Sequence, residues 1–298
     1  MEDVKLKRSY SDKIFDIVNI GIMIVLLIVF VWPLWFVFIA SISEPNAVLR
    51  GEVLLFPKQI NFKGYERILS YQMILKGYAN SVFYTVVGTI LNMVMSILLA
   101  YPLSYRSFGP RKFFNWFFIA TMYFSGGLIP MYLLVRGLGI LDTRWAILIP
   151  GMVSVYNALI IKNFFMNSIP QELQEAATLD GANAAQYLWR VVLPLSKPVF
   201  AVVGLYYMVG NWNNYTKALY YIYNEDLYPL QSVLRQLLIS SKLVHDLVMT
   251  AEEMAEAIEQ AQLMQYGVIV VAALPMLCVY PFVQKYFVKG AMLGALKG

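Results

Sequence analysis

Six stretches of this chain carry no Asp, Glu, Lys or Arg: residues 17–43, 77–105, 113–135, 145–161, 198–216 and 260–284, running from 17 to 29 residues each. A helix rises about 1.5 Å per residue, so a hydrocarbon slab about 30 Å thick needs about 20 residues. The shortest run, 145–161, reaches that length if Lys162 snorkels outward and Phe164 and Phe165 extend it. A charge at the centre of such a helix would cost roughly 2.5–3.5 kcal/mol on insertion scales, and these runs contain none. Spanning β-strands would alternate polar and apolar residues, which these runs do not. The predicted fold class is an all-α integral membrane protein with six transmembrane helices, one transmembrane domain over 1–298. Pro33 predicts a kink in the first span.

Composition agrees. The chain is 59% hydrophobic and 14% charged, where a soluble domain carries roughly 25% charged residues. That excludes a soluble enzyme and a disordered chain. One cysteine, Cys278, and one histidine, His245, exclude an internal disulfide and a His/Cys metal cluster. Cys278 reads as inert packing in the last span, and His245 as an exposed loop residue. The first apolar run is about twice the length of a signal-peptide core and lacks a small-residue cleavage site, so it reads as a spanning helix.

An even number of spans puts both termini on one side, together with loops 106–112 and 162–197. That side carries 13 Lys+Arg against 7 Asp+Glu, and the other side 10 against 11. The positive-inside rule makes the first side cytoplasmic.

The inner loop is the most informative polar segment. Ser168 with Gln171 predicts a capping box, with Pro170 in the first turn and Glu172 and Glu175 favoured by the helix dipole. This helix runs to Leu179, and Gly181 supplies a left-handed stop. Asn183 with Gln186 caps a second helix that ends at Pro194. The pair's apolar and aromatic residues need something to pack on. They suit either an interfacial hairpin or a docking element for a soluble partner.

The segment EAATLDGA followed by LPLSKP resembles the EAA loop of ABC-importer permeases, here spanning 168–198. Its matching positions are Glu175, Ala176, Ala177, Asp180, Gly181, Leu193 and Pro194. Phe56-Pro57, Tyr65 and the ending that starts at Phe287 resemble the carbohydrate-uptake permeases of the maltose-transporter type, within them the subgroup importing oligosaccharides or fragments of complex polysaccharides. The acidic segment 246–259 is not a hallmark of that family. The resemblance implies a type I importer permease in the bacterial cytoplasmic membrane. It pairs with a homologous second permease, two ABC ATPases and an extracellular substrate-binding protein. Its inner loop would be a coupling helix moved by ATP-driven closure of the ATPases, biasing one bundle between two states.

No GxxxxGK[ST] occurs, so the chain lacks the usual nucleotide cradle, and ATP-Mg belongs on the partner ATPase. Gly290 and Gly294 form a GxxxG pattern that falls after the last span. No cofactor or metal is expected in this chain. Its partners are membrane lipid, the importer subunits and an oligosaccharide, with no nucleic acid.

The fifth run ends in Asn211-Trp212-Asn213-Asn214-Tyr215. Amides bond hydroxyls and aromatic faces stack on sugar C–H surfaces, so Asn211, Trp212, Asn214, Tyr215 and Tyr207 form a candidate substrate path. Interhelical hydrogen bonding is the competing role for these residues, and for Asn80, Asn92 and Asn157. Tyr123 and Phe124 suit core or pore equally. The outer segment from Thr250, with a capping box to Glu253, is either a cap for a binding protein or a solvated acidic helix.

Other classes fit less well. A membrane enzyme or an ion-coupled secondary transporter would place ionisable groups in the spans, and none is there. A peptide or amino-acid permease is the remaining alternative for the substrate.

Overall fold

A computed structural model describes residues 10–243, 264–281 and 284. His245, the acidic segment 246–259, the Thr250 capping box and the Phe287 ending lie outside the described residues, as does the start of the sixth run. The described residues are helical, with no strand among them. The chain divides into two compact units, 1–70 with 238–271, and 71–237 with 272–298.

In the first unit, α1 (Tyr10–Ser41) runs through Pro33, and its apolar side chains are largely exposed, as a lipid-facing helix requires. Short α2 (Pro45–Leu49) and α3 (Lys63–Ser70) follow. Ile39, Ala47 and Val53 form a small core. Tyr65 is tied to the end of α1 by a 2.7 Å bond between its hydroxyl and that of Ser41.

The second unit is built around α4 (Gln72–Ser104). One stripe of α4 is buried at every fourth residue: Asn80, Tyr84, Gly88, Asn92, Ser96 and Ala100. The opposite stripe, Val82, Val86, Ile90, Val94 and Leu98, is exposed. Without a water-driven hydrophobic force between spans, small and polar residues make the helix contacts and aliphatic ones face lipid.

The six runs do not become six straight helices. Among the described residues, α1, α4 and a last helix, Met264–Pro281, are long and apolar enough to cross a membrane. The third run folds as α5 (Arg111–Tyr123) and α6 (Leu128–Gly137), bent by 113°. The break is at Ser125-Gly126-Gly127, where Gly127 has φ +85°, a conformation that side chains with a Cβ resist. The fourth run breaks into α7 (Arg144–Leu148) and α8 (Val155–Ser168). Pro150 removes a backbone donor and Gly151 turns at φ +68°. The non-helical stretch between them is not left unsatisfied. Asn92 Nδ2 donates to Met152 O at 2.5 Å, and Ser154 N donates to the Tyr207 hydroxyl at 3.1 Å.

The inner loop follows as α9 (Gln171–Leu179) and α10 (Ala184–Tyr187), a π turn at Leu188–Val192 and the short α11 (Leu193–Leu195). After an 81° bend comes α12 (Lys197–Trp212), which packs on α4 and α8. Then come α13 (Thr216–Tyr221), packed on α7, and α14 (Leu230–Leu243). The last described helix is α15 (Met264–Pro281). Cys278 is exposed on α15 rather than packed inside the bundle.

Candidate functional site: a helix–turn–helix loop and the end of the fifth apolar run

The inner loop is built as its sequence spacing dictates, with one correction. Ser168 is the last residue of α8 and does not cap α9, whose N-cap is Pro170 without a side-chain bond. Gln171 Nε2 instead donates to Glu175 Oε1 at 3.0 Å, one turn along the exposed face. The end of α9 is a Schellman turn. Ala182 N donates to Ala177 O at 2.9 Å and Gly181 N to Thr178 O at 3.1 Å, with Gly181 at φ +75°. The Asn183–Gln186 capping box is complete, both bonds measuring 2.9 Å.

Glu175, Ala176, Asp180, Gly181 and Pro194 are all exposed, and Leu193 is half-buried. Ala177 turns inward onto a core containing Tyr101, Phe165, Tyr187 and Val203. Tyr101 locks the second helix to α4: its hydroxyl donates to Ala184 O at 2.6 Å and is bonded to the Tyr105 hydroxyl. Beside this anchor lies an open cavity of about 500 Å³ between the C-terminal end of α4 and the start of α9. On the outside of the loop, Leu179 is 89% exposed and Trp189 71%. A loop anchored on one face and bare on the other leaves a firm, exposed apolar surface.

At the far end of α12, the residues assigned to a substrate path divide into two groups. Asn211 Nδ2 donates to Asn92 Oδ1 at 2.9 Å, and Tyr207 shares a 2.6 Å hydroxyl bond with Ser96. Trp212 is buried, donates to Ala272 O at 3.0 Å and meets the Tyr78 ring edge-on. These three hold helices together. Asn214 Oδ1 accepts from Lys217 N at 3.2 Å and starts α13, and Tyr215 is exposed. Tyr206 and Gly210 on α12 and Asn213 just past its end are exposed instead. Asn213 is absent from the sequence-based path. Its signal is position: α12 ends at Trp212, and Asn213 follows as the exposed C-cap.

Around α13 the charges are uneven. Lys217 is half-buried, and its Nζ donates to Ile147 O at 3.0 Å, in the last turn of α7. Burial alone pulls this ammonium down to about 8. Arg144 reaches Asn80 Oδ1 at 3.4 Å and lies 4.6 Å over the Phe83 ring. Arg235 sits 5.9 Å from the Tyr215 ring. The carboxylates nearby are engaged elsewhere. Asp226 pairs with Lys76 at 2.7 Å, Asp142 accepts from Tyr223 N and Asn224 N at 2.8 Å each, and Glu225 accepts from Gln236 at 2.9 Å.

A charge-poor helical bundle with long apolar helices, bent helix pairs and internal polar bonding has the make-up of a multi-pass membrane protein. The chain belongs to the family described as the binding-protein-dependent transport system inner membrane component, whose model matches residues 74–292. Among its relatives, Protein LplC of Bacillus subtilis is 38% identical over 98% of both chains. The polygalacturonan/rhamnogalacturonan transport system permease protein YtcP of the same organism is also 38% identical, over 97% of this chain and all of that one. A solved structure is similar over 95% of this chain and 100% of its own, with TM-score 0.84 and 34% identity; it is titled as a bacterial ABC transporter involved in import of the acidic polysaccharide alginate. The chain is thus an ABC transporter permease subunit, not an enzyme.

Proposed function

We propose that this chain is one of two related permease subunits forming the path of an ATP-driven importer for an oligosaccharide. Its loop 168–198 docks on a cytoplasmic ABC ATPase that binds ATP-Mg, and an extracellular binding protein delivers the sugar at the opposite end. Both termini are cytoplasmic and the path crosses the bacterial cytoplasmic membrane. One observation carries the coupling: Leu179 and Trp189 stand bare on a loop whose other face is held by Tyr101 and Ala177. Glu175, Ala176 and Asp180 lie on that bare side and can meet a basic cleft. The sugar reading is supported by relatives named for oligosaccharide and polysaccharide transport and by the amide and aromatic groups near Asn213.

The test is purification of the tagged chain from a membrane that also produces its neighbouring importer subunits, followed by uptake of labelled oligosaccharide. The reading requires a co-purified P-loop ATPase and ATP-dependent sugar uptake. Uptake of peptides or amino acids instead overturns the substrate class, and a chain that purifies without any ATPase overturns the coupling.

A further inference from the structure

We propose that the end of this permease around α13 recognises a carboxylate-bearing saccharide, with the Lys217 ammonium as the group that meets the carboxylate and Arg144 and Arg235 as flanking cations. This rests on the sugar-importer reading above and narrows its substrate class.

The argument starts from what Lys217 costs. A half-buried ammonium loses hydration, and proteins normally compensate with a carboxylate at ion-pair distance. Among the described residues none lies there. The Lys217 ammonium has one bond, to a backbone carbonyl, while it has three donors to place. Tying α13 to the last turn of α7 requires a donor but not a charge, and a neutral amide of similar reach would do it.

The surroundings repeat the pattern. Arg144 rests on an amide oxygen and an aromatic face, and Arg235 on another aromatic face. Asp142, Glu225 and Asp226 are each occupied by other donors. Three cations with neutral partners raise the local potential and draw anions toward this end of the bundle. A lysine presents one compact charge, suited to a single carboxylate, where a phosphate site would gather several donors in a fork or nest. Within four residues of Lys217 along the chain are exposed Asn213 and Tyr215, an amide and an aromatic face that match sugar hydroxyls and C–H surfaces. A charged group beside sugar-type contacts is the chemistry of a uronic acid.

The experiment uses the full importer in its host membrane, with labelled trigalacturonate, its methyl-esterified neutral form and a phosphorylated disaccharide as probes. Lys217→Gln keeps a donor for Ile147 O and removes the charge; Lys217→Arg keeps the charge. The expected result is a roughly tenfold loss of trigalacturonate uptake in Lys217→Gln, near-normal uptake in Lys217→Arg, and no change for whichever neutral sugar the wild type accepts. Raised ionic strength should slow wild-type uptake of trigalacturonate, and slow Lys217→Gln less, since only Arg144 and Arg235 remain. Unchanged trigalacturonate uptake in Lys217→Gln, or equal loss of charged and neutral sugars, overturns the assignment. Preference of the wild type for the neutral ester or for the phosphorylated sugar overturns it while leaving the sugar-importer reading intact. A wild-type protein that moves none of the three overturns both.

Discussion

Gly88 and Asn211 are fitted to one another across the α4–α12 interface. A Cβ at position 88 would lie 2.9 Å from Asn211 Nδ2. That amide is not free to swing away, because it donates to Asn92 Oδ1, and Asn92 in turn holds Met152 O. The glycine is therefore required by close approach rather than by a turn. Gly88→Ala is expected to destabilise the bundle by about 1–3 kcal/mol through overpacking. Thermal denaturation of the purified protein in detergent checks this, and Gly88→Ala combined with Asn211→Ala should recover part of the loss.

Gly181 is different. Nothing lies within 4 Å of a Cβ built there, so its requirement is the φ of +75° alone. Gly181→Ala should cost about 1 kcal/mol from backbone strain, and Gly181→Asn less, since Asn tolerates the left-handed region. Gly181→Pro, locked near −65°, should break the turn. The proposed coupling then predicts ATP hydrolysis that no longer responds to substrate, with the protein still inserted. Glu175→Lys should act in the same direction by reversing the charge on the docking face. Substrate-stimulated ATPase assays on the assembled importer separate these outcomes.

The Asn183–Gln186 capping box is the local stop that starts the second loop helix. Asn183→Ala should weaken that helix by about 1 kcal/mol. Hydrogen exchange at residues 184–187 is the readout, and it should rise without a change in the exchange of α4.

Lys217 gives the system a pH signature. Burial lowers its ammonium to about 8, so below that pH the group is charged in the folded protein and above it neutral. The sign for stability is the reverse of the usual ion pair. The unfolded chain, with an ordinary lysine near 10.4, binds more protons between these values, so stability rises with pH through that window. Charge recognition moves the opposite way: uptake of an anionic sugar should fall as pH passes 8, while Lys217→Arg should hold its uptake. The titratable groups on the elements packed against α13 are Arg144 on α7 and Arg136 and Tyr132 on α6, with Tyr220 and Tyr221 on α13 itself and Asp142 bonded through its backbone N–H to Tyr221 O. Thermal melting and uptake, each measured from pH 7 to pH 9, test the two halves.

Tyr206 on α12 and Asn213 just past its end are exposed, whereas Asn211, Trp212 and Tyr207 are held inside the bundle. Asn213→Ala should reduce transport without lowering thermal stability. Trp212→Ala should lower stability by about 3–5 kcal/mol, the range for emptying a buried aromatic site. Parallel uptake and melting measurements distinguish a path residue from a packing residue.

The loop was legible from sequence because its instructions are local. A left-handed stop at Gly181 and a cap at Asn183 depend on residues within one turn, and both formed. Ser168 misled for the same reason. It has the right spacing to Gln171, but α8 continues through it and Pro170 takes the cap position. Straightness of the spans was less legible, since charge-free length says nothing of where a run bends. Gly126-Gly127 and Pro150-Gly151 were visible breakers inside the third and fourth runs, and the positive φ of Gly127 and Gly151 shows why the helices part there. The facing of Asn211 against Asn213 was settled by tertiary packing. The four-residue spacing of Asn80, Tyr84, Gly88, Asn92 and Ser96 on α4 held the clue, because a polar stripe in a span marks the side turned from lipid.

The central claim is that the loop between α8 and α12 transmits force from an ATPase to the bundle. A photo-crosslinking residue placed at Leu179 or Trp189, in the intact importer with Cys278 replaced by serine, tests it most directly. The account predicts covalent capture of the ATPase subunit from both positions, with a yield that changes when ATP is trapped. Capture of lipid alone, or labelling of either position from the extracellular side, would contradict it.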